Sequence, residues 1–168
     1  MKLLITGGAG FIGSNYVRHH LAQSDDQITI LDALTYAGSR DTISDFIDNS
    51  RVQFVHGDIC DRETVNAVLK GIDAIVHFAA ESHVDRSIAG SERFMVTNAV
   101  GTNVLCDLAK NSEIERFVHV STDEVYGSRE RGSFDENDRL EPSSPYSCLL
   151  YTSPSPRDRT RSRMPSSA

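Results

Sequence analysis

The chain has 168 residues, 39% of them hydrophobic and 24% charged, with a formal net charge of −7; this is the balance of one globular domain large enough to bury a sizeable core. Nucleic acid is excluded as the main partner, because an acidic chain offers no basic face to neutralise phosphates. A membrane span is excluded as well, since no apolar run approaches the ~20 residues that cross a bilayer.

The first element is the apolar run Leu3-Leu4-Ile5. It stops at Thr6-Gly7-Gly8-Ala9-Gly10-Phe11-Ile12-Gly13 and passes into a helical stripe carried by Phe11, Ile12, Tyr16, Val17 and Leu21. Strand, glycine turn and helix in that order form the dinucleotide fingerprint. Without a Cβ the chain turns sharply, its backbone can touch a pyrophosphate, and the helix packs close to its strand, while the helix N-terminus attracts the phosphates. Gly7, Gly10, Phe11, Ile12 and Gly13 are therefore expected cofactor contacts. The second strand, Ile28-Thr29-Ile30-Leu31-Asp32, ends on an acid about 20 residues past the glycines, where a ribose-binding carboxylate is required. Asp32 would repel a 2′-phosphate, so NAD is expected rather than NADP, with Arg40 the nearby cation that works against this preference.

Ala33-Leu34-Thr35-Tyr36-Ala37-Gly38 should pass beside the adenosine half of a bound dinucleotide. A weakly helical segment (Ile43, Phe46, Ile47) and a third strand (Val52–His56) follow, with Gly57-Asp58-Ile59 at its C-terminal end. Asp61 is the expected N-cap of a helix bearing Val65, Val68 and Leu69, and Gly71 its stop. Ala74-Ile75-Val76-His77-Phe78-Ala79-Ala80 reads as a central parallel strand buried on both faces, with His77 a hydrogen-bonded core histidine. A long helix spans Phe94 to Lys110, and Phe117–Ser121 is a fifth strand. His19 and His20 are expected to be solvent-exposed on the first helix. The alternation predicts an α/β fold, a doubly wound parallel sheet of the Rossmann type, with ligands at the strands' C-terminal ends.

Polar groups collect at two of those ends. After the fourth strand, small Ala79 and Ala80 would let a nicotinamide ribose approach the backbone, and His83, Asp85 and Arg86 project from the loop beyond. After the fifth, Ser121-Thr122-Asp123-Glu124 sets a hydroxyl before two adjacent carboxylates, the arrangement for acid/base chemistry once burial and mutual repulsion separate their pKa values. In Pro142-Ser143-Ser144-Pro145-Tyr146-Ser147, a tyrosine enters a helix. It can serve as a base only if its pKa falls from about 10, and a lysine at i+4 is the usual means. Position i+4 is Leu150.

The composition changes at Cys148. The remaining segment holds four arginines against one aspartate and three of the chain's five prolines, without helical or strand period; disorder is expected over residues 148–168. Such a tail could bind nucleic acid, but it resembles a translated sequencing adapter and is expected to be foreign to residues 1–147. The three cysteines, Cys60, Cys106 and Cys148, lack metal-type spacing, and two lie in apolar runs expected to be buried. With a core strand opening the chain and leaving no room for a leader, the expectation is a cytoplasmic protein with reduced thiols and no metal.

Through residues 1–147 the chain resembles the extended short-chain dehydrogenases/reductases, and within them the nucleotide-sugar 4,6-dehydratases. The glycine turn is shared superfamily-wide. Leu34-Thr35-Tyr36-Ala37-Gly38, Gly57-Asp58-Ile59, Ala80-Glu81-Ser82-His83-Val84-Asp85-Arg86-Ser87, Thr122-Asp123-Glu124-Val125-Tyr126-Gly127 and Pro145-Tyr146-Ser147 carry the narrower likeness. The resemblance implies bound NAD, contacted by the glycine turn, Asp32, Asp58, Ile59, Ala79, Ala80 and Tyr146. It implies a nucleoside-diphosphate glucose substrate, expected to be dTDP-glucose, touched by Ser82, His83 and Thr122, and a homodimeric full-length protein. Tyr146 with Thr122 would take the 4-hydroxyl proton, Glu124 the carbon-5 proton, and Asp123 would protonate the departing 6-hydroxyl. The family's lysine and its C-terminal substrate lobe are absent, so the chain is expected to be an N-terminal piece with little or no activity. A 4-epimerase or decarboxylase of the same superfamily would share the glycines, Asp32 and Tyr146 but need no carboxylate pair. A non-catalytic NAD-binding module is the third reading.

Overall fold

The computed structural model describes residues 1–83 and 90–152. Its centre is a sheet of five strands, β1 (Lys2–Thr6), β2 (Gln27–Asp32), β3 (Val52–His56), β4 (Ala74–His77) and β5 (Arg116–His119), in the order β3-β2-β1-β4-β5. Every neighbouring pair is parallel; Leu4 stands beside Thr29 on one side and Ile75 on the other. The strand order reverses between β1 and β4, and ligands of doubly wound sheets bind at the carboxyl ends of the strands flanking such a reversal.

Residues alternate across the pleat and so fill two cores. Leu3, Ile5, Ile28, Ile30, Ala74 and Val76 face Val17 of α1 (Phe11–Gln23) together with Ile43 and Phe46. Leu4, Leu31 and Ile75 face α2 (Arg62–Val68) and α4 (Thr102–Lys110) through Val65, Val104 and Leu105. Each fully buried aliphatic side chain contributes roughly 1.5–3 kcal/mol. The expected local signals appear as side-chain geometry: the Asp61 carboxylate accepts from Glu63 N–H and Thr64 N–H to cap α2, and Gly71 closes its far end at φ +72°.

Several elements differ from expectation. The fourth strand ends at His77, and Phe78, Ala79 and Ala80 leave the sheet as half-buried loop. The long helix is not uniform: an α turn (α3, Glu92–Phe94) opens into a π-helical segment, Met95–Gly101, before α4 resumes the ordinary pitch. The expected change at residue 148 is not a break in the backbone, because α5 runs Pro145–Thr152 and buries Leu150 against Phe94, Val125 and Tyr146. Residues 153–168 of the expected tail, and Asp85 and Arg86, lie outside the described residues. His20 is half-buried rather than exposed, its Nε2 2.9 Å from Asp26 Oδ2. No cysteine is fully buried: Cys60 and Cys106 are half-buried and Cys148 exposed, and none is joined in a disulfide. The Cys60 thiol is pushed up to about 11 by burial and by Asp58.

His77 is the buried polar group of β4, 1% exposed. Its Nδ1 lies 2.6 Å from Thr6 Oγ1 and its Nε2 3.0 Å from Thr102 Oγ1. Burial, with His119 beside it, lowers its pKa to about 3. The unfolded chain takes up a proton here below pH ~6.5 while the fold does not, so stability falls as pH drops from about 6.5 toward 3, by ~1.4 kcal/mol per unit. Urea midpoints at pH 7 and pH 4.5 check this: the parent should lose about 2–3 kcal/mol more than His77→Gln across that interval, and equal losses would refute it.

Candidate functional site

A cleft of ≈ 350 Å³ opens at the C-terminal edge of the sheet over the β1/β4 junction, a size in the lower range of small-molecule sites. One wall is the glycine turn. Gly7 holds φ +70°, and a Cβ there would stand 2.6 Å from Ala79 N; at Gly13 it would stand 2.3 Å from Gly7 O. Gly10 is the N-cap of α1 and supplies no side-chain hydrogen bond. The first intrahelical bond is Ser14 N–H to Gly10 O, which leaves the amides of Phe11, Ile12 and Gly13 without an acceptor among the described residues. Three free N–H groups on the positive end of a 13-residue helix form an anion cradle.

Phe11 and Ile12, expected as part of α1's apolar stripe, are 81% and 64% exposed. The first turn of α1 overhangs the end of the sheet, so these side chains have no core beneath them and line the cleft instead. Asp32 lines it too. Its carboxylate is held from both sides, Oδ2 accepting from Ala9 N–H at 2.9 Å and Oδ1 from Leu34 N–H at 2.8 Å. Leu34 reaches this bond at φ 49°, in the left-handed region that a branched residue rarely enters. Arg40 turns away, its guanidinium 5.1 Å above the Phe54 ring. An amide cradle and a fixed carboxylate on one cleft fit a dinucleotide: the first suits its diphosphate, the second a ribose diol.

Asp58, Ile59, Ala79, Ala80 and Ser82 stand in the opposite wall and rim. The chain there is clamped from behind. Buried Asn98, on the π-helical segment, accepts from Glu81 N–H at 2.8 Å through Oδ1 and donates to Glu81 O at 2.9 Å through Nδ2. Glu81, Thr97 and Leu150 also line the cleft; sequence pattern did not single out Thr97, because a π-helical stretch, Met95–Gly101, shifts which residues face the sheet and has no period of its own in the sequence.

Tyr146, 8% exposed, lines the cleft from α5. Its phenol is raised above its ordinary pKa by burial and by the negative charges of Glu124 and Asp123, while a hydrogen bond with Thr122 pulls the other way. Thr122 caps the short 3-10 turn Asp123–Tyr126, accepting from Glu124 N–H at 3.3 Å. Buried Val125 anchors that turn against Tyr146 and Leu150. Thr122 and Glu124 are half-buried and Asp123 is exposed, beside the tyrosine rather than in the cleft wall. His83 is exposed, its ring 5.9 Å from that of Tyr36. Among the described residues no group of three metal-ligating side chains occurs, and no helix is long and apolar enough to cross a membrane.

A family model described as GDP-mannose 4,6 dehydratase matches residues 4–149. The low-salt glycan biosynthesis protein Agl12 of Haloferax volcanii is 56% identical over 147 residues, 88% of this chain and 47% of the relative. A dTDP-glucose 4,6-dehydratase of Streptomyces niveus is 50% identical over 151 residues, 87% of this chain and 45% of its own length. The crystal structure of DesIV (dTDP-glucose 4,6-dehydratase) from Streptomyces venezuelae with NAD and TYD bound superposes with a TM-score of 0.88 at 52% identity, covering 91% of this chain and 49% of that one. The chain spans about half the length of the curated relatives it matches.

Proposed function

The chain belongs to the GDP-mannose 4,6 dehydratase family, and from that premise we propose that it carries the NAD-binding and acid–base half of a dTDP-glucose 4,6-dehydratase. The observation that carries the reading is the meeting of two sets of groups: the amide cradle and Asp32 on one side of the cleft, and Tyr146 backed by the Thr122–Glu124 turn on the other. The amides of Phe11, Ile12 and Gly13 would hold the diphosphate of NAD and Asp32 its adenine ribose. NAD, when bound, supplies a hydride acceptor at the start of the reaction and a hydride donor at its end.

The chain's own residues divide the proton transfers. Tyr146, hydrogen-bonded by Thr122, is the base for the sugar's 4-hydroxyl. The ketone so formed acidifies carbon 5, and Glu124 would remove that proton. Asp123 protonates the 6-hydroxyl as it departs as water. An elimination needs both an acid and a base besides the tyrosine, and the two carboxylates meet that need, which an epimerase does not have. In this chain the first step is impaired: burial and the neighbouring carboxylates keep the Tyr146 phenol protonated, and Leu150 brings no positive charge to oppose them. Assembly as a homodimer in the cytoplasm accompanies this reading; Met95, Val96 and Val100, 54%, 45% and 51% exposed, form an apolar stripe that a second copy would cover.

Calorimetric titration with NAD and NADP, followed by incubation with dTDP-glucose, tests the reading. Saturable NAD binding, weaker NADP binding and no release of the 4-keto-6-deoxy sugar are expected. Absence of NAD binding would sink the cofactor assignment. Turnover at an ordinary rate would sink the role given to Leu150, and an epimerised sugar would replace dehydratase by epimerase.

A further inference from the structure

The β1/β4 junction beneath the cleft is joined by side chains as well as by strand pairing. Thr6, the last residue of β1, accepts through Oγ1 from Ala79 N–H at 3.3 Å. The same hydroxyl lies 2.6 Å from His77 Nδ1, and the other ring nitrogen reaches Thr102 Oγ1 at 3.0 Å. Thr6, His77 and Thr102 are all within 1% of complete burial. A neutral imidazole donates through one nitrogen and accepts through the other, so both bonds are made at once. A continuous line of hydrogen bonds thus runs from the cleft wall at Ala79, through the end of β1, across β4 and into α4.

Gly7 makes this line matter to the cleft. Its Cα presses on Ala79 so closely that a Cβ would lie 2.6 Å from Ala79 N and 2.8 Å from Ala79 Cα. The glycine turn and the opposite wall therefore touch at Ala79, the residue whose amide Thr6 holds. Thr102 lies one helical turn beyond Asn98, whose amide grips Glu81 further along the same wall. Helix and π segment together hold the wall at two places, by its last strand side chain and by its loop backbone.

We propose that His77 is a positioning residue for the cofactor cleft, bracing the contact between the glycine turn and the Ala79 wall against α4 through Thr6 and Thr102. The proposal rests on the dinucleotide reading of the cleft. Its consequence is that removing a hydroxyl behind the sheet, remote from any ligand atom, loosens the site in front of it.

The test removes the far end of the brace. Thr102→Val keeps the shape and loses the hydroxyl, leaving a ring nitrogen of His77 buried without a partner; Thr102→Ser restores the hydroxyl. NAD dissociation constants are measured well below the melting temperature of each variant, and hydrogen exchange at the Ala79 amide is followed without ligand. Thr102→Val should weaken NAD binding about tenfold and speed Ala79 exchange about as much, the scale of one unsatisfied buried polar group. Thr102→Ser should return both to within about twofold, and His77→Gln should behave like Thr102→Val. A Thr102→Val protein with a lower melting temperature but unchanged affinity and unchanged Ala79 exchange overturns the proposal, since His77 is then only a core residue. If the parent fails to bind NAD, the dinucleotide reading falls and the positioning role with it. Exchange that still responds to Thr102→Val would then show a brace without a cofactor, distinguishing the two failures.

Discussion

Gly13→Ala should leave the protein unable to bind a dinucleotide and markedly less stable. The new methyl would meet Gly7 O at 2.3 Å and Gly8 Cα at 2.9 Å. Both are backbone atoms of the turn, with no rotamer to change, so the only relief is to move the helix off its strand. Overpacking of this kind costs about 1–3 kcal/mol or more, a large share of a total near 5–15 kcal/mol. The displacement also carries the amides of Phe11, Ile12 and Gly13 away from the diphosphate. Each charge-assisted bond is worth roughly 1.5–3 kcal/mol, so loss of two weakens binding by about a hundredfold or beyond. Gly90 is the control, because a Cβ there meets nothing within 4 Å among the described residues; Gly90→Ala should match the parent in both NAD titration and urea unfolding. A Gly13→Ala protein that bound NAD like the parent would show that the turn is not the cradle.

Leu150→Lys should change the character of Tyr146. The two side chains are one turn apart on α5 and share a buried cluster with Phe94 and Val125. In the parent the phenol lies above its ordinary pKa of 10.0, driven first by burial. A cation at position 150 opposes burial and the two carboxylates together, and an opposite charge within about 4–6 Å lowers an acid's pKa by roughly 1–3 units. Ultraviolet titration of tyrosinate, with the Tyr146→Phe form of each protein subtracted, should show Tyr146 ionising at a clearly lower pH in the variant than in the parent. The lysine itself is desolvated, so the variant should also lose about 1–3 kcal/mol, which Leu150→Met does not. Unchanged titration would mean that α5 does not present residue 150 to the phenol, and the account of the low activity expected of this chain would fail.

Much of this architecture was legible in the sequence because its signals are local. The Asp61 cap and the Gly71 stop act within a few residues, the glycine spacing and the acid closing β2 are read from one strand-turn-helix-strand order, and each appears where expected. The unbroken apolar run around Ile75 marked the central strand because a strand buried on both faces tolerates no polar side of its own. What the pattern misplaced depends on distant partners. Phe11 and Ile12 fit a helical stripe perfectly well, yet their burial depends on where the sheet stops, which no period records. Asn98 reads as one polar residue in a helix until the π-helical turn brings its amide to the Glu81 backbone. Leu150 lies in the segment from Cys148 whose composition shows no period, and its packing against Phe94 and Val125 depends on contacts that composition does not record.

Asp32 spends both carboxylate oxygens on the chain's own amides, and this decides how a ligand is received. The loop after β2 and the turn after β1 are knotted together at that acid before any guest arrives, so the ordering entropy of both segments belongs to folding rather than to recognition. A nucleotide bound at this cleft would therefore meet these two segments already ordered, and on the proposed reading its residence time rather than its rate of arrival would record how well it suits the host.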